Sequence, residues 1–350
     1  MATSPTTLRA AASLACAATM FLAACSDTTI APPARDVSPD AANLTKDPDI
    51  MMNGPRVFHT KPWHDNDNAA HGRGGGGGGS NNGISYHFGP VLLSGTNVVA
   101  VYWAASPIYV NGPQPGTHGG NSADQSLVGQ FLRSLGGSPY FNINSTYTNG
   151  SQAIANSVSY TGYWANNSNV PANGQNVSDA DMLNMLSSGF MTGALTYNSS
   201  TLYAIFTAGT VNLGGGFGSQ YCAYHWFGTV NTPAGSRTAL YAAMPYDHAY
   251  SGSCDMFTIW GPANGSVDPG ADAEVNTLAH ETEETTTDEL GNAWFDSRGF
   301  ENADKCAWTF GTTFTTPSGG RANVTLGGKN YLIQQNWVNA NGGGCAMHWP

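Results

Sequence analysis

His280-Glu281-Thr282-Glu283-Glu284 is the stretch of this chain richest in groups that could do chemistry. On a helix, His280 and Glu284 stand at i and i+4, so their side chains leave the same face one turn apart, with Glu281 beside them. That is the mechanical content of a His-Glu-x-x-His metallohydrolase helix: two ligands one turn apart and a glutamate that activates water. Here a glutamate replaces the second histidine. Carboxylate oxygen is a legitimate zinc ligand, so the geometry survives. The donor set becomes harder and more anionic, which brings calcium, manganese or iron into consideration. The expectation is one divalent cation, zinc first and calcium as the alternative.

A catalytic zinc takes three protein ligands and keeps one position open. Glu301-Asn302-Ala303-Asp304 offers two carboxylates past the helix. Metallopeptidases of the thermolysin type likewise take a glutamate ligand from a second, downstream element. Asp304 or Glu301 is therefore the expected third ligand, with the other behind it. Asp288 lies one turn beyond Glu284, but Thr285-Thr286-Thr287 is a weak helix former and the helix could end there. Glu281 is the expected general base. His225, or Tyr224 beside it, is the candidate to hold a developing oxyanion. Two plainer readings stand beside this one: a structural cation, calcium above all, or a hydrogen-bonded polar cluster without metal. An acidic helix is also most often a solvated face.

The helix is expected over about 272–288, capped by Asp272 after the Pro269-Gly270 loop. It belongs to an acidic block: residues 272–304 hold ten carboxylates against the single cation Arg298. The preceding elements read as a sheet with short helices. Val91–Leu93 and Asn97–Trp103 are expected strands around the turn Ser94-Gly95-Thr96, the second apolar enough to be central. Ser126–Leu135 has helical spacing and stops at Gly136-Gly137, and Asp179–Leu186 suggests another short helix. Thr201–Thr207 and Ala239–Met244 read as strands, as do Trp308–Phe310, Ala322–Leu326 and Tyr331–Trp337. The fold expected is α+β: a single mixed α/β domain with a central sheet and a zincin-like acidic helix, over residues 84–350, following a disordered tether.

The start of the chain reads as an export signal. Residues 1–24 carry Arg9, then an apolar, Ala-rich run ending Leu22-Ala23-Ala24-Cys25. That ending resembles a bacterial lipobox, which implies lipidation at Cys25, and the run is too short to span a bilayer. Residues 25–83 form the expected linker, broken by prolines and closed by the run Gly74–Gly79. Its His59, His64 and His71 are expected as solvated linker residues. In an oxidising compartment Cys222, Cys254, Cys306 and Cys345 suggest disulfides. Cys222–Cys254 and Cys306–Cys345 are favoured because each closes a local loop. The expected location is extracytoplasmic, lipid-anchored to the envelope or secreted.

A net charge of -11 with only 10% charged residues argues against nucleic-acid binding, which needs clustered cations. Ser106, Ser138 and Ser219 lack the nucleophile elbow of a serine hydrolase. Gly214-Gly215-Gly216 lacks the Lys-Ser/Thr of a phosphate loop. A glycosidase carboxylate pair within the acidic block stays open. Tyr160, Tyr163, Trp164 and Trp226 could stack on sugars or pack in the core. The expected partner is a peptide or cell-wall polymer substrate, with the membrane touched only through the anchor and the protein a monomer.

An ordered set of short stretches resembles the phosphate-induced protein 1, or EXORDIUM-like, family. Tyr86–Leu92 and Val101-Tyr102-Trp103 resemble its opening, and Phe131–Leu135 resembles its next helix. Cys222-Ala223-Tyr224-His225 resembles its Cys-Gly-Tyr/Phe-His element. Ala279-His280-Glu281, Glu284, Thr287-Asp288, Asn292-Ala293-Trp294 and Ala303-Asp304-Lys305-Cys306 resemble its acidic helix and following loop. The resemblance spans residues 84–348 and implies an extracellular or wall-associated protein, without bringing an established reaction. This chain departs from the family at Asp288-Glu289, where related sequences have Asp-Pro. It departs again in its lipoprotein-like start, which points to a bacterial member and away from plant signalling roles.

Overall fold

The structure, a computed structural model, describes residues 56–59, 83–209, 211–255 and 268–350. The expected signal, Cys25, His64, His71 and most of the expected linker lie outside the described residues. The described chain builds an α+β domain on a mixed sheet of seven strands. In chain order the strands are β1 (Arg56–His59), β2 (Ser85–Tyr86), β3 (Thr96–Trp103), β4 (Thr117–Gly119), β5 (Val158–Asn166), β6 (Thr201–Thr207), β7 (Tyr221–Thr232), β8 (Gly235–Met244) and β9 (Trp294–Phe295). The sheet runs β1-β7-β8-β6-β3-β5-β4, and β2 pairs with β9 apart from it. Its interior pairs, β8·β6, β6·β3 and β3·β5, are parallel, and antiparallel strands close both edges. Strands buried on both faces need apolar residues at successive positions. That is why β6 and the second half of β3 read as unbroken apolar runs.

Among the described residues three helices cover the two faces: α1 (Leu127–Leu135), α2 (Asp179–Thr192) and α3 (Pro269–Thr287). Val98, Ala100, Ala204 and Ala242 pack toward Phe131 and Leu132 of α1 and Val275, Leu278 and Ala279 of α3. On the other face Val101, Tyr203, Ile205 and Tyr241 meet Met182, Leu186 and Phe190 of α2. Ser126 caps α1 by accepting from the Gly129 amide at 3.0 Å. A reciprocal Ser178–Asp181 capping box starts α2, which runs past the expected Leu186 to a left-handed Gly193. α3 is capped by Asp268, whose side chain accepts from the Ala271 amide, and Pro269 sits in its first turn. Asp272, expected as the cap, lies one turn inside.

Several expectations are corrected by packing. Val91–Leu93 is not a strand; the Leu92 amide donates to the Thr286 carbonyl at 3.1 Å and covers the end of α3. The terminal strands shrink to short ribbons pairing 314–315 with 321–322, 324–326 with 329–331 and 336–338 with 344–346. Tyr160, Tyr163 and Trp164 are buried in the sheet rather than presented to a sugar, while Trp226 is half-buried. Within the stretch expected as a tether, Arg56–His59 forms the edge strand β1 on β7 and buries His59. A row of backbone donors and acceptors on the edge of β7 is the physical reason this segment is captured.

Both expected disulfides are formed, Cys222–Cys254 and Cys306–Cys345. They are compatible with an extracytoplasmic protein. Among the described residues no helix is long and apolar enough to cross a membrane.

Candidate metal centre

The acidic helix α3 is not a solvated face. Glu274, His280, Glu281, Glu283 and Glu284 are all completely buried. The sheet closes one side of the helix and Phe58 of β1 another, its ring 4.3 Å from that of His280. Polar side chains from the downstream loops cover the remainder: Asn336 Nδ2 donates to Glu283 Oε2 at 2.7 Å, and Asn276 Oδ1 accepts from the Gln334 amide at 2.7 Å. Of the threonines expected to end the helix, Thr286 and Thr287 turn their hydroxyls back to it, as Thr282 does one turn earlier. Thr282 Oγ1 donates to the Leu278 carbonyl at 2.7 Å and Thr286 Oγ1 to the Thr282 carbonyl at 2.6 Å. With these hydroxyls bonded to the helix, α3 continues through Thr287.

Two groups of ligand atoms converge on this helix, each lying within 4.8 Å of one another: His280, Glu284 and Asp304, and His225, Glu281 and Glu284. His280 Nε2 is 3.0 Å from Glu284 Oε1 and 3.6 Å from Asp304 Oδ1. His225, on β7, places Nδ1 3.1 Å from Glu281 Oε2 and 3.6 Å from Glu284 Oε2. Glu301 Oε1 lies on the other side of that ring, 3.9 Å from Nε2. Asp304 thus joins the His280–Glu284 pair, and Glu301 stands behind His225. The loop carrying both is tied down by the Asp304 amide donating to Glu284 Oε1 at 3.0 Å and the Glu301 amide donating to Asp304 Oδ2 at 3.1 Å. The neighbouring Cys306 is fastened to Cys345.

Gln334 decides which nitrogen of His280 carries its proton. Its Nε2 donates to the Ala303 carbonyl at 2.7 Å, which turns Oε1 toward His280 Nδ1 at 3.3 Å. Nδ1 must therefore donate, so a neutral His280 directs the lone pair of Nε2 at the oxygens of Glu284 and Asp304. Burial holds His280 down at about 4, against the lesser opposing pull of Asp304, so at neutral pH the ring is in that neutral form. Burial, then the charges of Glu284 and Asp304, push Glu281 well above the usual carboxylate range. His280 Nε2 and Glu281 Oε1 are buried without a hydrogen-bond partner. Lone pairs facing one another in a dry interior repel unless something positive lies between them. A divalent cation fits this donor set: neutral imidazole, carboxylate oxygens and a hydrogen-bonded far side of the ring. Donor separations of 3.0–3.6 Å match the edges, roughly 3.3–3.6 Å, of a tetrahedron with bonds near 2.0–2.2 Å. These buried groups could hold a metal ion.

Other candidates fall outside the centre. Tyr224 points to the opposite face of the sheet, where its hydroxyl donates to Asp179, so it cannot serve an oxyanion here. Asp288 accepts from the amides of Asn292 at 2.5 Å and Ala293 at 2.6 Å and shapes the loop after α3. Cys222, Asp247 and Cys254 also lie close together, but both sulfurs are consumed in the disulfide and supply no thiolate. Gln334 and Phe58, which orient and cover His280, carry no signal in the sequence: one lies in an expected strand, the other in an expected tether. No protein-family model, curated protein or solved structure matches this chain.

Proposed function

We propose that this chain is an exported, metal-dependent hydrolase of the cell envelope, with a zinc-type cation held by His280, Glu284 and Asp304 and with Glu281 as general base. The observation that carries this reading is the convergence of His280 Nε2 on Glu284 Oε1 at 3.0 Å and Asp304 Oδ1 at 3.6 Å, with Gln334 accepting from the far side of the ring. A bound divalent cation supplies Lewis acidity, which acidifies water and polarises a substrate carbonyl. The protein supplies the rest. Gln334 fixes the tautomer and tilt of His280. His225 holds Glu281 through Oε2 at 3.1 Å, leaving Oε1 to take a proton from the attacking water and deliver it to the leaving group. Glu301 stands behind His225, 3.9 Å from Nε2.

Histidine and carboxylate donors of this number favour zinc over calcium, which takes six or more oxygens. The substrate class we assign is a peptide or cell-wall polymer. Export and lipid attachment at Cys25 rest on the leader-like residues 1–24 and the Leu22-Ala23-Ala24-Cys25 box. The paired cysteines agree with it. Membership of the EXORDIUM-like family is proposed on the ordered motifs alone.

A second reading is a structural cation in a non-catalytic wall or glycan-binding protein. It is favoured by the burial of the donors, of which Asp304, at 8% exposed, comes nearest to solvent. Glu281→Gln separates the two. Under the hydrolase reading it keeps the metal and lowers hydrolysis at least about a hundredfold, the scale of a lost general base. Equal hydrolysis by both proteins would leave the structural reading standing. Wild type and His280→Ala with equally little bound metal would remove both.

A further inference from the structure

Glu284 turns its two oxygens to different partners. Oε1 faces His280 and the Asp304 amide, and Oε2 faces His225. Each histidine then meets a second carboxylate, Asp304 for His280 and Glu281 for His225. Gln334 Oε1 accepts behind His280, 3.3 Å from Nδ1, whereas Glu301 Oε1 stands 3.9 Å from His225 Nε2, at ion-pair rather than hydrogen-bond distance. An acceptor behind an imidazole is the arrangement that sets a metal-ligating tautomer. The two halves share three features: an imidazole nitrogen, the common Glu284 carboxylate and a private carboxylate.

We infer that the centre takes two divalent transition-metal ions bridged by Glu284, the first among His280, Glu284 and Asp304 and the second among His225, Glu284 and Glu281. The inference rests on the metal-site reading above and adds a second ion to it. Two observations beyond the carboxylate cluster point to ligands. His280 Nε2, completely buried, has no hydrogen-bond partner and faces the first group. Glu281 Oε1, also completely buried, has none either, although its sister oxygen sits 3.1 Å from His225. A single cation in the first group would leave Glu281 and Glu284 as neighbouring buried carboxylates on the His225 side. A second ion there relieves that repulsion and converts His225 from a counter-charge into a ligand. Paired ions about 3.5–4 Å apart are an established device for hydrolytic displacement, one positioning the attacking oxygen and the other the departing one. Glu281 would turn the unpartnered Oε1 to the second ion, so it is a ligand in the doubly loaded centre and the general base in the singly loaded one.

The test is a count. Full-length protein is stripped with chelator, reloaded with Mn2+ and freed of excess ion. Metal per chain is then measured by elemental analysis, and the electron paramagnetic resonance spectrum is recorded. Two ions per chain with a spin-coupled spectrum are expected for wild type. His225→Ala, with its fold checked by circular dichroism, should keep one ion and lose the coupling. One uncoupled ion in wild type, unchanged by His225→Ala, overturns the two-ion inference while leaving the single-ion reading intact. No ion in wild type overturns both. Should His225→Ala fail to fold, the wild-type count and coupling decide the matter by themselves.

Discussion

Two buried carboxylate clusters share one face of the sheet and are built on opposite principles. At Asp124 every neighbour gives. Tyr102 and Tyr160 each donate a hydroxyl to Oδ2 at 2.6 Å, and Ser126 donates its amide at 3.0 Å and its hydroxyl at 2.7 Å to Oδ1. At Glu284 the Asp304 amide donates to Oε1 at 3.0 Å, but the side chains gathered around it are acceptors: Glu281, Asp304 and the lone pair of His280. A buried carboxylate surrounded by donors is self-sufficient and holds the fold together. A carboxylate surrounded by acceptors is costly by itself and becomes stable only with a positive species among them. The first cluster joins strands to the start of α1. The second could hold a cation that the chain does not itself supply.

The difference can be broken by substitution. Asp124→Asn removes a charge that receives four hydrogen bonds and turns an NH2 group toward two tyrosine hydroxyls. We expect a loss of about 4 kcal/mol in urea unfolding, from charge-assisted bonds worth about 1.5–3 kcal/mol each. A loss below 1 kcal/mol would erase the contrast. Replacing Cys306 and Cys345 by serine opens the staple beside Asp304, which spans 39 residues of sequence. The expected cost is about 3 kcal/mol, within the usual 2–5 for a native disulfide, and metal affinity should fall with it. Unchanged affinity would mean that the loop is held by its hydrogen bonds alone.

Asp247 and Glu274 give a smaller, pH-dependent test. Burial raises both, the charge of Asp247 raises Glu274 further, and Thr277 donates a hydroxyl to Asp247. Folded values above the unfolded ones, near 4, mean that the pair's stabilising contribution is complete below about pH 4 and is lost as pH rises through the raised values. The Tm of metal-free protein should therefore fall from pH 4 upward, and Asp247→Asn should flatten that slope. Comparing variant with wild type isolates the pair from His280, which titrates with the opposite sign. The smallest expected effect is the most telling. Glu284→Gln in metal-free protein should lie within about 1 kcal/mol of wild type, or above it, because it removes a charge from among acceptors. A loss as large as that of Asp124→Asn would make the two clusters alike.

The legible parts of this protein were those with a period or a fixed spacing. β3 and β6 were readable because a strand buried on both faces is apolar at successive positions. α1 was readable from its 3.6-residue stripe and the Gly136-Gly137 stop. The disulfide pairs followed from the preference for local closure. The His280–Glu284 pair was readable because i and i+4 share a helix face whatever the helix packs against. Elements stabilised mainly by partners far away in sequence were not legible. Val91–Leu93 looks like a strand and is a cover for α3, and Arg56–His59 looks like a linker and is a strand.

The helix, its donor types and the approximate address of the third carboxylate can be read from the order of residues alone. The tertiary structure decided everything that depends on distance and on water. It chose Asp304 over Glu301 beside His280, placed His225 against Glu281 and set Gln334 behind His280. Above all it buried a helix whose composition reads as solvated. Burial is a property of what surrounds a residue, and α3 is surrounded by a sheet, an edge strand and loops that lie far from it in the chain. Sealing those side chains from water is what turns an acidic sequence into a candidate metal centre.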